Sequence, residues 1–203
     1  MRCSACRSIN CCSLNHQITH HPFHKDACKA IKRTRDVLEK EERELRSLPP
    51  DWDVPPHIFE EGEDGNGGVG EFERILCTRD YMFARGGHID ALNQVKTYEA
   101  IAAAAYHCLD MHRLSRKDGM RIRYITPYLL IRLGKDQEAY DFLKWYALHN
   151  LTDDYDYGNL ALPFLNIQGA DVFEDATDLM PRISALSHAV AVTPIKFRLL
   201  IDL

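Results

Sequence analysis

The feature that most constrains this chain is a dense group of metal-ligand side chains at its N-terminus. Residues 1–28 hold five of the seven cysteines and four histidines of the 203-residue sequence. An odd number of cysteines crowded at one end fits reduced thiols gathered around a metal better than a disulfide framework, which would link distributed points. Cys77 and Cys108 instead lie in apolar helical patterns and are predicted to be buried core thiols.

The spacing of these residues follows the rule for tetrahedral zinc sites. Such sites take ligands as close pairs, because short spacings let two side chains reach one ion from a turn or from one helical turn. The chain has three such pairs, with two, three and three intervening residues: Cys3 and Cys6, Cys12 and His16, and His24 and Cys28. We therefore predict a small zinc-stabilised lobe in which metal binding replaces a hydrophobic core.

The order of these pairs resembles the second half of a MYND-type zinc finger, an interleaved two-zinc module. The matching residues are Cys3 and Cys6, then Cys12, Ser13 and Gln17, then His24, Lys25 and Cys28, each at the family's spacing. The resemblance implies one structural zinc ion bound by Cys3, Cys6, His24 and Cys28. The stretch RDYMFARGGH and the helical patterns after it also resemble the helical region that follows the finger in many fungal MYND proteins.

The chain also departs from the MYND pattern. The family's earlier Cys-x2-Cys pair is absent, so the finger is expected to be N-terminally incomplete, and two family positions are changed: a Cys stands here as His16 and a Trp as His21. Cys12 and His16 would supply half of a second zinc site, which His20 or His21 would have to complete. We expect one zinc ion, with room for a second.

Helical patterning dominates the remainder of the chain, which predicts a mainly α fold consisting of the finger and an α-helical domain. The predicted regions are a finger at 1–28, a connecting helix at 29–48, an acidic Pro/Gly linker at 49–70 and a helical domain at 71–203, with an acidic extended segment at 151–181. Within the domain we predict helices over 71–86, 88–114, 121–134 and 135–150. The last two, joined at Gly134, resemble a tetratricopeptide unit.

No catalytic role is predicted for any residue. Some MYND proteins are lysine methyltransferases, but this chain lacks the Asn-His-x-Cys motif of their SET domain and is helical after the finger. A closed four-ligand zinc site leaves no open position for substrate. We therefore expect a non-enzymatic protein with no small-molecule substrate, and keep a non-catalytic relative of those methyltransferases as an alternative.

Recognition of a protein partner is the function that the resemblance implies, since MYND fingers bind short proline-containing peptides. Gln17 and His21 are the candidate peptide contacts. Nucleic acid is not expected as a partner, because no long basic stripe exists and a dedicated nucleic-acid binder would show a strongly basic face over a whole domain. The alternative is a nucleic-acid-associated transcriptional regulator that uses Lys29, Lys32, Arg33 and Arg35 beside the zinc.

The expected location is inside the cell, with nucleus and cytoplasm left open. The sequence has no run of about eighteen apolar residues, and its first residues lack the apolar stretch of a secretory signal. We therefore expect no membrane partner.

Overall fold

The structure, a computed structural model, describes residues 1–61, 67–149, 155–175 and 186–201, apart from the side chains of residues 199 and 200. It is mainly helical, which confirms the predicted fold class. The chain divides into two compact units, Met1–Met120 and Arg121–Leu203. None of the helices in the described ranges is long and apolar enough to cross a membrane.

Three α-helices form the framework of the first unit: α1 (Leu14–Ser47), α2 (Arg79–Asn93) and α3 (Tyr98–Leu114). Side-chain oxygens cap two of them, because Ser13 accepts the His16 N–H and Thr97 accepts the Ala100 N–H. Helix α2 packs against both α1 and α3. One stripe of α1 is buried, and it consists of His24, Cys28, Ile31, Leu38 and Leu45.

Helix α1 begins much earlier than the connecting helix predicted over 29–48. It runs unbroken for 34 residues and includes the second half of the predicted finger. Pro22 lies inside it, near the first turns. A proline there removes one backbone hydrogen bond close to the helix start, which the Ser13 cap and the packing of the later turns outweigh. The finger and the connecting helix therefore share one element.

The break between α2 and α3 also differs from the predicted position. The sequence predicts one helix that ends at Gly86 and a second that begins at His88, but α2 continues through Gly86 and Gly87 and ends at Asn93. A Cβ added at Gly86 would lie 2.7 Å from the Met120 Cε, so this glycine permits close packing inside a helix. The predicted helix over 71–86 correspondingly starts late, after a 3₁₀ turn at Leu76–Thr78.

The region predicted as a linker, 49–70, packs into the first unit over its described residues. Val54, Ile58 and Val69 are buried. The Phe59 ring lies edge-on to two aromatic rings, at centroid distances of 5.5 Å from Phe72 and 5.3 Å from Tyr81. Apolar residues placed between the prolines and acids thus hold this stretch on the helices, while residues 62–66 lie outside the described part.

The second unit contains a 3₁₀ turn (Ile122–Tyr124) and helices α4 (Thr126–Arg132), α5 (Asp136–His149) and α6 (Leu186–Ile201). Gly134, with φ of 73°, makes the turn between α4 and α5 at the position that the sequence indicates. The core of this unit includes Leu130, Tyr140, Leu143, Ala191, Val192 and Ile195. The relation of this helix pair to tetratricopeptide units stays a prediction.

Residues 155–175 form turns and irregular chain over α5. A buried aromatic group on α5 consists of Phe142, Trp145 and Tyr146. The apolar side chains of this stretch that pack against it are Tyr155, Tyr157, Phe164, Leu165 and Ile167. The buried Asp141 carboxylate accepts the Gly169 and Ala170 N–H groups at 2.9 and 2.8 Å. The other residues of the predicted acidic segment, 151–154 and 176–181, lie outside the described residues.

Candidate metal centre

A tight N-terminal loop brings Cys3 and Cys6 together. The Cys3 N–H donates to the Ile9 carbonyl at 2.8 Å, and the Arg7 N–H donates to the Cys3 carbonyl at 2.9 Å. Arg7 adopts a left-handed backbone, with φ of 56°. Such a conformation is unfavourable for a residue with a Cβ, so the surrounding bonds must hold it. The loop is thus fixed by backbone hydrogen bonds, and both thiols are buried.

Helix α1 supplies the other two ligands. His24 and Cys28 are four residues apart, so their side chains leave the helix on the same face, one turn above the other. Both side chains are buried, whereas the neighbouring His20 and His21 are exposed. Of the histidines at positions 20, 21 and 24, only His24 therefore lies on the buried face of α1 beside Cys28.

The four side chains form a compact group. The ligand atoms of Cys3, Cys6, His24 and Cys28 all lie within 4.8 Å of one another. The Cys3 and Cys28 sulfurs are 3.7 Å apart, close to the ~3.8 Å edge of a tetrahedron with zinc–sulfur bonds of ~2.3 Å. A disulfide would need ~2.05 Å, and these cysteines are free. The group has the size of a tetrahedral metal site.

The His24 ring is oriented for coordination. Its Nδ1–H donates to the His20 carbonyl at 3.1 Å, which leaves the lone pair on Nε2. Nε2 is buried and has no hydrogen-bond partner in the described part of the chain. A buried polar atom without a partner is costly, and a metal ion would satisfy it. A backbone carbonyl that fixes the tautomer is the usual support of a metal-ligating histidine.

Electrostatics in the group favour ionised sulfur at one position. Burial raises the pKa of the Cys3 thiol, but hydrogen bonding, first from the Cys6 backbone, outweighs it and lowers the pKa to about 6. Burial raises the pKa of Cys6, and burial together with the neighbouring Cys3 and Cys6 sulfurs raises that of Cys28 to about 12. Metal binding to the two thiols whose pKa is raised would therefore release protons.

Residues far along the chain hold the loop against the helices. The Arg35 guanidinium of α1 donates to the Ala5 carbonyl at 2.6 Å, between the two loop cysteines. The Thr97 hydroxyl donates to the Ser8 carbonyl, and the Glu99 carboxylate accepts from the Asn10 amide. Sequence analysis missed these contacts, because nothing local connects the start of α3 with a loop some ninety residues earlier.

The second predicted pair forms only half a site. Cys12 and His16 are exposed, and the Cys12 sulfur contacts the His16 Nδ1. In the described ranges the only group of three or more His, Cys, Asp or Glu side chains placed to share an ion is the four-residue group above. The two residues predicted to contact a peptide differ in solvent exposure: Gln17 is half-buried, and His21 is exposed.

A shallow groove of about 380 Å³ lies beside the Cys12–His16 pair. It is lined by Asn10, Cys11, Cys12, His16, Thr19, His20 and Phe23. Neither Gln17 nor His21 lines it, because these residues leave α1 on another side. Phe23 lies at the edge of this groove and is 84% exposed.

The four basic residues named for nucleic acid do not act as one set. Lys29, Lys32 and Arg33 are exposed on α1, whereas Arg35 is partly buried and donates to the loop. Arg35 therefore supports the metal-ligand loop.

No family model, curated protein or solved structure matches the chain. The arrangement is therefore interpreted from its own geometry and chemistry. Three buried thiols and one oriented imidazole, drawn from a fixed loop and one face of α1, form a group that could hold one metal ion.

Proposed function

We propose that Cys3, Cys6, His24 and Cys28 bind one structural zinc ion in a MYND-type lobe, and that the protein is a non-enzymatic interaction factor. The observation that carries the proposal is the buried four-ligand group, in which the His24 Nε2 has no other partner. The ligand order at the spacing of that family is the second support. The proposed place of action is inside the cell, where thiols stay reduced.

The ligand types favour zinc over other ions. Thiolates and imidazole in a tetrahedral arrangement suit zinc, whereas calcium and magnesium require oxygen ligands. Four protein ligands complete the coordination sphere and leave no open position for water or substrate. This supports a structural role for the ion and argues against metal-assisted catalysis at this site.

The groove beside the lobe is the proposed binding surface for a proline-containing peptide. Phe23 offers an exposed aromatic ring, and proline rings pack well on aromatic surfaces. His16 and His20 add polar edges to the groove. Gln17 and His21, the contacts that the resemblance implies, lie on the neighbouring face of α1 and stay a prediction.

Native mass spectrometry of the full chain tests the metal proposal. We expect one zinc ion per chain, lost in Cys28→Ser and retained in Cys77→Ser, which changes a half-buried thiol outside the group. Two ions, one of them lost in Cys12→Ser, would mean that the Cys12–His16 pair is completed by a further ligand. A chain purified without metal that also fails to take up zinc would refute the proposal.

An array of proline-containing peptides tests the groove. We expect some peptides to bind the zinc-loaded chain and to lose at least tenfold in affinity with Phe23→Ser. Phe83→Ser is the matched control, since Phe83 is similarly exposed on α2, outside the groove. Equal losses in both variants would remove the groove from the proposal and leave the metal site untouched.

A further inference from the structure

An exposed face of α1 has aliphatic side chains near the helix start, followed by lysines further along the helix. Leu14, Ile18, Lys25, Lys29 and Lys32 follow one another at intervals of four, seven, four and three residues, which return to the same side of a helix. This set, the α1 outer face, is exposed and lies beside the buried stripe of α1, about a third of a turn around the helix from its centre. From Leu14 to Lys32 it extends over about 27 Å, at 1.5 Å per residue.

The first part of this face is apolar. Leu14 is 57% exposed and Ile18 is 63% exposed, and both lie in the first turns of the capped helix α1. Two large aliphatic side chains one turn apart on an open face are a common component of interaction surfaces. Pro22 continues the apolar part toward the basic one.

The second part is basic, and its cations have no acidic partner among the described residues. The side chains of Lys25, Lys29 and Lys32, and that of the adjacent Arg33, are exposed, and none of them makes a hydrogen bond or an ion pair in the described part of the chain. Other cations of α1 do have acidic partners, such as Lys40 with Glu44 and Arg46 with Glu42. Asp26 and Asp36 are the only acids among residues 25–36, so the local charge stays positive.

A surface depression lies within the basic part. It has a volume of about 470 Å³ and is lined by Lys29, Lys32, Arg33, Asp36, Val37 and Lys40. Val37, itself 44% exposed, gives it an apolar floor between the charged side chains. Such a depression can seat a carboxylate-bearing side chain while its neighbours contact aliphatic surface.

We propose that the α1 outer face docks a segment of a partner protein in which apolar residues adjoin a run of Asp and Glu. The charge complementarity fixes the acidic part, and Leu14 and Ile18 fix the apolar part. A nucleic acid is disfavoured as occupant, because its phosphates would gain nothing from the exposed aliphatic side chains of Leu14 and Ile18. This surface is distinct from the groove at Phe23 and goes beyond the peptide binding proposed there.

Selection from a phage-displayed library of random 12-residue peptides on the zinc-loaded full chain tests this inference. We expect enriched peptides to combine clustered Asp and Glu with adjacent Leu, Ile or Phe. A synthetic copy of an enriched peptide should lose at least tenfold in affinity with Lys32→Glu/Arg33→Glu, and weaken with rising salt. Leu14→Ser/Ile18→Ser should cause a further loss of several-fold.

The matched control reverses the same amount of charge elsewhere. Arg79→Glu/Lys96→Glu changes two exposed cations that lie outside α1 and should leave peptide affinity within twofold. Zinc content and helical circular dichroism are measured for every variant, so that a misfolded chain is recognised. If the control variant also loses peptide affinity, the effect comes from the change in net charge and not from this surface. That result would overturn the proposal.

Three further results would also overturn it. One is an enriched set without acidic bias, or no enrichment. A second is binding abolished by Phe23→Ser and unaffected by Lys32→Glu/Arg33→Glu, which would support the groove alone. The third is tighter binding of a 20-nucleotide single-stranded DNA than of the enriched peptides, with that DNA binding lost in Lys32→Glu/Arg33→Glu.

Discussion

Two regions of the molecule bury their side chains by different chemistry. Among residues 1–28 the buried positions are Cys3, Cys6, Ser8, Ile9, Cys11, His24 and Cys28, of which only Ile9 is an aliphatic hydrocarbon. Around α5 the buried positions include Tyr140, Phe142, Leu143, Trp145 and Tyr146, with further aromatics from 155–175 packed on them. The first region buries four side chains that could hold a metal ion, and the second buries apolar area.

This difference predicts how each region responds to damage. A metal site depends on every ligand, because an incomplete set loses most of the binding free energy that also folds the lobe. An apolar core loses stability in proportion to the surface and volume removed. The lobe should therefore fail as a whole, while the α5 region should weaken in steps.

Metal removal should have the largest effect. Structural zinc contributes ~10–16 kcal/mol of apparent binding free energy in finger peptides at neutral pH. We expect a strong chelator to abolish amide protection over residues 1–28 and to leave that of α5 unchanged, as followed by hydrogen exchange and mass spectrometry. Returned zinc should restore protection, and equal protection with and without chelator would show that the lobe folds without metal.

Truncation of the α5 core comes next in size. Leu143 is fully buried, so Leu143→Ala should lower the free energy of unfolding of this region by ~2–5 kcal/mol, from lost transfer energy and a cavity. Denaturant unfolding followed by fluorescence of the buried Trp145 measures it. Zinc content should stay at the wild-type value, and a loss of zinc would break the separation between the two regions.

Acid should weaken the helices that support the lobe. Burial, with charges from Arg35 and Arg85, lowers the pKa of His88 in α2 to about 4. Because the unfolded chain binds the proton more readily, the free energy of unfolding has its full value above about pH 6.5 and falls as the pH drops toward 4. At pH 5 the loss is on the order of 2 kcal/mol.

The variant His88→Gln isolates this effect. The His88 Nδ1 lies 2.9 Å from the Thr34 hydroxyl, and a Gln oxygen can still accept from it. Both chains have the same metal ligands, so their difference in α2 amide protection between pH 7 and 5 reports His88. We expect a shallower pH dependence in His88→Gln, and identical dependence in both chains would contradict the assignment. Burial likewise lowers the pKa of His107, whose own contribution remains in both chains.

The smallest effect concerns one carboxylate of the second unit. Asp141→Asn replaces one acceptor oxygen by a donor that faces the Gly169 or Ala170 N–H, which should cost ~1–2 kcal/mol. Asp136→Asn is the matched control, because Asp136 pairs with Arg198 at the surface, where an ion pair contributes little. Equal unfolding midpoints for the two variants would show that the Asp141 bonds do not hold residues 155–175.

The ligand group is the part of the site that sequence reasoning identified best. The sequence offers Cys3 with Cys6 and His24 with Cys28 as close pairs, the resemblance to a zinc finger joins them, and the structure places these four side chains together. Spacing is informative there because both pairs depend only on local geometry, a turn and one helical turn. The same argument places the Gly134 turn, where a positive φ favours glycine.

Features set by distant contacts escaped the same reasoning. Gly86 reads as a helix breaker, yet it is retained inside α2 because Met120 packs against it. The start of α1 at Leu14 depends on the Ser13 cap, which the histidine-rich sequence around it obscures. Thr97 and Glu99 are ordinary residues at a helix start, and their bonds to the metal-ligand loop become visible only in three dimensions.

The position of the four ligands has a consequence for synthesis on the ribosome. All of them lie between residues 3 and 28, so a nascent chain can complete the metal site before α2 and α3, which begin at residues 79 and 98, have been translated. N-terminal segments fold first during translation. If the proposed site binds zinc, the contacts from Thr97 and Glu99 arrive last and close over a lobe that already contains its ion, so metal supply before α2 is translated would commit the first unit to fold.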